Sequence, residues 1–589
     1  MKNLFGIIIS FIVIFSFFTC NNGTIPDPNI FRVTFNSNGG SVVPFQDIPE
    51  GGKATKPKGV SQQINFALEG WYSDNNTFEN KWDFDIDTVV TDITLFAKWQ
   101  AVDPLDYDDF GPVLVTETYT VANTTHWNNV LNVISSGGND NAYIINITDD
   151  FTVEGKNTNT FGSVSDVMVS LRSTGKTISL SGNGNILRIE NNQSLVLRDV
   201  NLKGNEENNE SGNSENSSLV YINNSHFNLQ KGKIFWNGGN GITINKGSLI
   251  IHVGEISDNY IGVSIIDGSF TMHEGKISGN SSGVSISDGS FIMHKGEIYN
   301  NYRYGVYMYT SNNNTSFILH DGNIYDNNAG VITTNGSFIM NGGTINNNTK
   351  LDASNSAVGV SIADGVFTMN GGNINNNERG VSLFANSTFI MNNGTINGNT
   401  TTTYSGILYT NGAGVNVFDG SNFIMNGGTI SNNTATSIDE QYYTYVSRGG
   451  GVNVGYYFVG SSFTMNAGTI SGNTAGEGGG VMVGSGCNFT MTGGTISGNT
   501  ADRNNRGGGG VNSRGNFNKT GGIIYGKNES LNSNIAEYGD TFGHSVYYES
   551  YDTGFYFYRD TTLNSNNNIN TNDELPANIG ETLNGWTKR

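Results

Sequence analysis

The stretch "GSFTMHEGKISGN" at Gly268–Asn280 is followed by "GSFIMHKGEIYNN" at Gly289–Asn301, close to a restatement of itself. The shared phrase is F-x-M-x-x-G-x-I-x-x-N. Its first residue recurs at Phe227, Leu249, Phe270, Phe291, Phe317, Phe338, Phe367, Phe389, Phe423, Phe463, Phe489 and Phe517. The steps from Leu249 to Phe270 and on to Phe291 set a basic period of 21 residues. A second phrase, G-V-x-V/I, precedes most copies, as at Gly262–Ile265, Gly283–Ile286, Gly359–Ile362 and Gly414–Val417. Each period therefore offers three short strands, "GVSI", "FTM" and "KIS", separated by Asp-Gly, His-Glu-Gly and Gly-Asn corners. Period-2 alternation turns Val263, Ile265, Phe270, Met272 and Ile277 inward and leaves Ser264 and Thr271 outside. Identical triangles stack only if every turn repeats the same inward residue. The expected fold is thus all-β, a right-handed parallel β-helix with three strands per rung of about 21 residues, the hand following the right-handed crossover preference. Gly and Asn belong at its corners because they tolerate positive φ.

Composition agrees with strands and turns. Gly 79 and a charged fraction of only 14% disfavour helix, since Gly is a poor helix former and surface ion pairs are scarce. Lys+Arg 30 against Asp+Glu 51 gives a net charge of −21, with no basic run, so nucleic acid is excluded as a partner. Cys20 and Cys487 lie too far apart in sequence and in kind to define a disulfide framework. No cofactor motif is present.

The solenoid is expected over residues 114–540, with 541–589 forming its last rungs, cap and tail. Near its start, "TTHWNNVLNVISSGG" places Trp127, Val130, Leu131 and Ile134 at helical spacing, with Thr124 or Thr125 as N-cap and Gly137 as the stop. A solenoid end exposes its apolar core, and a short helix across that end would close it.

The segment before the solenoid reads differently. Residues 1–20, "MKNLFGIIISFIVIFSFFTC", combine one Lys, an apolar run from Leu4 to Phe18 and Cys20, the profile of an export signal. Cys20 after Phe17-Phe18-Thr19 resembles the lipobox of bacterial lipoproteins, in a form near the relaxed spirochaetal versions. That resemblance implies a diacylglyceryl Cys20 and a membrane held through N-terminal lipid, with residues 21–30 as a tether. Over residues 31–100, Val33 and Phe35 run into Asn-Gly-Gly, a hairpin signal, and Trp71, Tyr72, Trp82, Phe84 and Trp99 offer an aromatic core. "VTFNSNGG", "GWY", "WDF" and "LFAKW" resemble the internalin-type B-repeat (Listeria–Bacteroides repeat) family, which implies a small β-grasp-like module on bacterial surface proteins. Residues 101–113 read as an acidic, proline-containing linker.

Further resemblances concern the repeats. "GGTISNNTA" at Gly427–Ala435 and "GGTISGNTA" at Gly493–Ala501 resemble the repeats of chlamydial polymorphic outer-membrane proteins. The whole arrangement is similar to treponemal repeat-rich surface lipoproteins, which implies a bacterial cell-envelope location, lipid-anchored at the outer membrane or cell surface.

Chemistry-bearing residues are few. Asp267, Asp288 and Asp364 each precede Gly, and turn geometry accounts for them without a catalytic role. No catalytic constellation is recognised, so the chain reads as a non-enzyme; a polysaccharide lyase or hydrolase on this fold is the alternative, and an inert spacer or coat a third. His252, His273, His294 and His320 occupy one register in consecutive rungs, a candidate transition-metal ladder beside the simpler reading of a solvated corner. Lys233, Glu255, Lys276 and Glu297 share another register and alternate in sign. The period lengthens after Phe389 and Phe423, where Tyr404, Tyr409, Tyr442, Tyr443 and Tyr445 fall in insertions at one corner. Insertions at one corner emerge on one side of a solenoid, and tyrosines there suit contact with a host glycan or extracellular-matrix protein. The sequence thus reads as a lipid-anchored binding or adhesion scaffold whose ligand contacts lie in its interruptions.

Overall fold

The computed structural model describes residues 29–38, 43–57, 66–74, 78–101, 115–156, 159–209, 214–310, 314–349, 358–403, 412–437, 446–457, 460–502, 507–527, 529, 532–536, 544–549, 556–571, 582–583 and 586–588. Contacts divide the chain into two compact units, Met1–Asp106 and Tyr107–Arg589.

In the first unit Ile30–Asn36 lies between Gln46–Pro49, antiparallel, and Ile93–Ala101, parallel; Phe66–Tyr72 runs antiparallel on the far side of Ile93–Ala101. Alternation puts Val33, Phe35, Leu95 and Ala97 on one face, where Trp71 meets Phe35 edge-on at 5.0 Å. Trp82 and Phe84 pack against this cluster, so the aromatics of this module serve its core.

The second unit is a parallel β-helix. Its helix, Thr124–Ser136, buries Trp127, Val130, Leu131 and Ile134, and Gly137 is its C-cap. The N-cap is Asn123 rather than Thr124 or Thr125: its extended backbone lets Oδ1 accept from His126 N at 3.0 Å, while Thr124 Oγ1 donates to Thr152 O. From Ser282 onward each turn contributes a valine strand, a phenylalanine strand and an isoleucine strand. Ser282–Ile286, Gly289–Met293 and Glu297–Tyr299 are one such set, and each pairs in parallel with its equivalent in the next turn. Phe270 to Phe517 form a continuous internal stack with ring centroids 4.5–5.0 Å apart and planes within 3–9° of parallel. Inward Val, Met and Ile complete the core at each level.

The final Asn of the repeat does something the sequence reading missed. Positive φ falls on the residue before it, as at Asp258, Gly279, Asn300 and Asn432, and the Asn itself turns into the core. From Asn259 through Asn280, Asn301, Asn327, Asn348, Asn377, Asn399, Asn433, Asn473 and Asn499 to Asn534, each Nδ2 donates to the next Oδ1 at 2.9–3.1 Å. The same Oδ1 also accepts the preceding Asn's backbone N–H, as from Asn377 N to Asn399 at 3.0 Å. A buried amide is costly unless bonded, and the strand spacing of about 4.8 Å brings stacked carboxamides within reach of one another.

Three strands per turn hold for the first part of the solenoid, and a fourth then joins. Thr400–Thr403, Thr434–Ser437, Thr474–Ala475, Thr500–Ala501 and Ile535–Ala536 build a separate five-stranded sheet. It follows directly from "NTA", whose alanines are small enough to pack there, and Ala413, Ala435 and Ala475 form their own small core. Parallel stacking ends at Val546–Glu549. Tyr556–Arg559 then turns antiparallel to it, Trp586–Lys588 pairs antiparallel to that, and Ile569–Asn570 pairs antiparallel to Asn516–Lys519. At the last rung Lys519 takes the methionine position and donates Nζ to Asn564 O at 2.7 Å and Asn567 O at 3.0 Å, fastening the cap. Reversed strands thus cover the last valine and phenylalanine strands, whose open edges would otherwise template another chain.

Asn399→Ala leaves the Asn377 backbone N–H and one of its two Nδ2 hydrogens without an acceptor in the core, the other still donating to Ile345 O at 3.0 Å, and should cost roughly 2–4 kcal/mol. Asn392→Ala, in an exposed amide row, should cost under about 0.5 kcal/mol. Urea unfolding of the two variants checks this, and equal midpoints would contradict the ladder's role.

Candidate functional site

The histidines stand where their spacing places them, one per rung at the corner between phenylalanine and isoleucine strands. Ring centroids are 4.9 Å apart for His252 and His273, 5.4 Å for His273 and His294, and 5.0 Å for His294 and His320. Three of the four are drawn in while His320 is exposed: His252, His273 and His294 are half-buried, and Nδ1 of His273 is buried without a hydrogen-bond partner. Burial pushes the His273 imidazole down to about 3, with His252 and His294 adding to the effect. Burial first and His320 second bring His294 down to about 4, and burial lowers His252 and His320 as well. The stack is therefore neutral at neutral pH. The rings tilt by 50° between His252 and His273, by 31° between His273 and His294 and by 7° between His294 and His320, and among the described residues no group of three or more His, Cys, Asp and Glu could hold a metal ion. Beyond His320 the register continues as Asn341, Asn370, Asn392, Asn426 and Asn466, an outer amide row linked at 2.9 Å from Asn341 onward.

The turns that follow the histidines line a groove of about 700 Å³ whose walls include Glu255, Glu274, Lys276, Lys295, Glu297 and Asp321. The alternating register predicted from sequence forms here: Lys233 pairs with Glu255 at 2.8 Å and Lys276 with Glu297 at 3.1 Å. These pairs are half-exposed and worth little each.

The longest insertions fall at one corner, between the added five-stranded sheet and the valine strands, while shorter ones follow Tyr304–Tyr309 and interrupt the chain after Val452–Tyr457 at the other end of the valine strand. Segments 404–411, 438–445, 503–506 and 537–543 leave from there. Tyr404, Tyr409, Tyr442, Tyr443 and Tyr445 lie outside the described residues, as does Cys20. The base of this corner is braced by charge. Fully buried Glu477 accepts from Arg448 Nε and Arg514 Nη2, both at 2.9 Å, and Arg514 Nε reaches Glu549 at 2.7 Å. Burial alone would lower the Arg514 guanidinium; Glu477 and Glu549 outweigh it and hold it above its usual value. Sequence reasoning passed over these four residues, which are far apart in the chain and carry no motif. The "VGYYFVG" insertion sits at the other end of the valine strand, after Val452–Tyr457.

A further feature was missed. Tyr299, Tyr302, Tyr304, Tyr307 and Tyr309 crowd one turn, "YNNYRYGVYMY", ahead of the added residues that lengthen the step from Phe291 to Phe317. Tyr304 stacks on Tyr307 at 4.9 Å, Tyr307 on Tyr309 at 6.2 Å, and Tyr299 on Tyr325 of the next turn at 5.0 Å. Their density within a single repeat was the available signal.

Comparison with known proteins locates one module. Residues 31–98 match the Listeria-Bacteroides repeat domain family. Two proteins of Evansella cellulosilytica are similar over short stretches. One, named "Putative Gly-rich membrane protein", is 37% identical over 93 residues, 16% of this chain and 10% of its own length. The other, named "Putative membrane protein", is 39% identical over 72 residues, 12% of this chain and 10% of its own length. The chain thus spans about a tenth of these relatives. No solved structure matches. No helix among the described residues is long and apolar enough to cross a membrane.

An unfolded histidine titrates near 6.5, so below that pH the unfolded chain takes up protons that the native stack refuses. Stability is full above about 6.5 and falls as pH drops toward 4. Converting all four histidines to Asn, the residue the following rungs carry in the same register, should shrink the fall in urea midpoint between pH 7.5 and pH 5. An unchanged pH profile would contradict the burial of the stack.

Proposed function

We propose that this chain is a lipid-anchored protein of the bacterial cell envelope that works as an elongated, non-enzymatic binding scaffold, with ligands met by the insertions at one corner of the β-helix. The location rests on the Listeria-Bacteroides repeat domain, on relatives named as membrane proteins and on the export-signal pattern ending at Cys20. The observation that carries the binding reading is the grouping of segments 404–411, 438–445, 503–506 and 537–543 at one corner of successive turns, next in sequence to a largely buried Arg448–Glu477–Arg514–Glu549 brace. Repeated rungs supply a rigid support, and variable length is tolerated where loops leave it. Tyrosines in 404–411 and 438–445 give those loops large contact area at low entropic cost. A host glycan or extracellular-matrix protein is the partner class these side chains suit.

Two measurements test the reading. Full-length protein is passed over immobilised glycans and matrix proteins beside a variant with 438–445 replaced by Gly-Ser, which spares Arg448. Loss of binding on replacement is expected; equal binding by both forms would remove the loops from the account. In cells, Cys20→Ser should abolish incorporation of labelled fatty acid, and label retained by the variant would refute the anchor.

A further inference from the structure

The tyrosine cluster at Tyr299–Tyr309 is separate from the insertions 404–411 and 438–445, because it lies in an earlier turn, on and between the strands Glu297–Tyr299 and Tyr304–Tyr309. The fold does not demand it. In the register of Tyr304 the adjacent rungs carry Ser282 and Ala329, in that of Tyr307 they carry Ser285 and Ile332, and Tyr309 is followed by Thr334. Non-aromatic residues satisfy the β-helix at each of these outward positions, so the aromatic rings serve something other than stacking of rungs. They are also not sheltered: Tyr302 is 66% and Tyr309 60% exposed, against the ordinary tendency to keep large apolar surface covered.

The chemistry of the surface is specific. The rings of Tyr304, Tyr307 and Tyr309 form one row along a single strand, held by mutual stacking, and rows so held lose little freedom on binding. Among the described residues no protein hydrogen bond engages the hydroxyls of Tyr302, Tyr304, Tyr307 or Tyr309. Burial, ahead of the neighbouring Tyr304 and Tyr309, raises the Tyr307 phenol, which stays a neutral donor. The flanking valine strands, Ser282–Ile286 and Ala329–Thr334, contain no charged residue, in a chain of net charge −21. A surface of aromatic faces with a rim of hydroxyls and, within Tyr299–Tyr309, a single cation, the exposed Arg303 at its edge, is complementary to a ligand of apolar faces and hydroxyl edges. Pyranose rings have weakly positive C–H faces that meet the negative face of a phenol ring, and hydroxyl edges that meet its O–H.

We propose that the Tyr302–Tyr309 turn is a preformed platform for a neutral oligosaccharide, distinct from the loop corner. An acidic polysaccharide or nucleic acid would find one counter-charge here, Arg303, on a chain of net charge −21, and a second copy of this chain would bring the same tyrosine hydroxyls without a complementary acceptor row.

The test uses full-length protein with neutral hexasaccharides of β-1,4-glucan, β-1,4-mannan and α-1,6-glucan, and hexagalacturonate as the acidic comparison, read by calorimetry and by ligand-observed NMR. The variant Tyr304→Ser/Tyr307→Ser/Tyr309→Thr restores the residues of neighbouring rungs and should keep the fold. A second variant, Tyr302→Ser, removes a corner ring alone, so that a failure of the first to fold leaves the proposal testable. At least one neutral hexasaccharide should bind, with affinity reduced at least tenfold in the triple variant and severalfold in Tyr302→Ser, and retained when 438–445 is replaced by Gly-Ser. Binding lost only on that loop replacement, binding unaffected by the tyrosine changes, preference for the galacturonate, or no neutral binding would each overturn the platform. Sedimentation showing self-association that the triple variant abolishes would overturn it in favour of a contact between copies.

Discussion

Everything in the β-helix hangs on side chains repeating at the strand spacing, and the buried carboxamide row from Asn259 to Asn534 enforces this most strictly. A phenylalanine stack tolerates small sliding, because dispersion is weakly directional. An amide donating to the next Oδ1 while that oxygen also receives a backbone N–H allows no slip: a shift of one residue would strand two donors in the core at every rung. The stack of rings supplies burial, and the amides supply register.

Such strict registration divides the sequence into residues that must repeat and residues that are free. Inward Val, Phe, Met, Ile and Asn recur with little variation, while outward positions and corners change from rung to rung. Where those free positions repeat, they repeat in blocks: four imidazoles, then the amide row from Asn341, along one edge. In the parallel stack each outward side chain sees its counterpart above and below, so like residues that stack or hydrogen-bond together are favoured in runs. The histidine block and the tyrosine turn share this logic but differ in exposure. Imidazoles half-buried at their corner are depressed in pKa and act on stability, whereas the tyrosines keep open rings and unengaged hydroxyls.

Much of the fold was legible in the repeat itself. Phe270, Met272, Ile277 and Val263 announced the inward faces through period-2 alternation, and Trp127 to Ile134 announced the capping helix through helical spacing. The Asn of the repeat was misassigned for a physical reason: Asn is both a positive-φ residue and a ladder former, and only the observed backbone shows that Gly279 or Asn300 takes the strained position. The fourth sheet was hidden because two or three residues of "NTA" are too short to read as a strand. The alternating Lys233–Glu297 register was readable, and its pairing follows from it. By contrast, Arg448, Glu477, Arg514 and Glu549 meet only through folding, and the tyrosine turn was overlooked because the step from Phe291 to Phe317 is lengthened far less than those after Phe389 and Phe423.

The account's central claim is that the internal amide row sets the register of the solenoid. Native-state hydrogen exchange, read by mass spectrometry on full-length protein, tests it most directly. If the claim holds, the backbone amides of Asn280, Asn301, Asn377, Asn399 and Asn473 exchange among the slowest in the chain and together, as one cooperative unit. Exchange of these amides ahead of the phenylalanine strands beside them would contradict it.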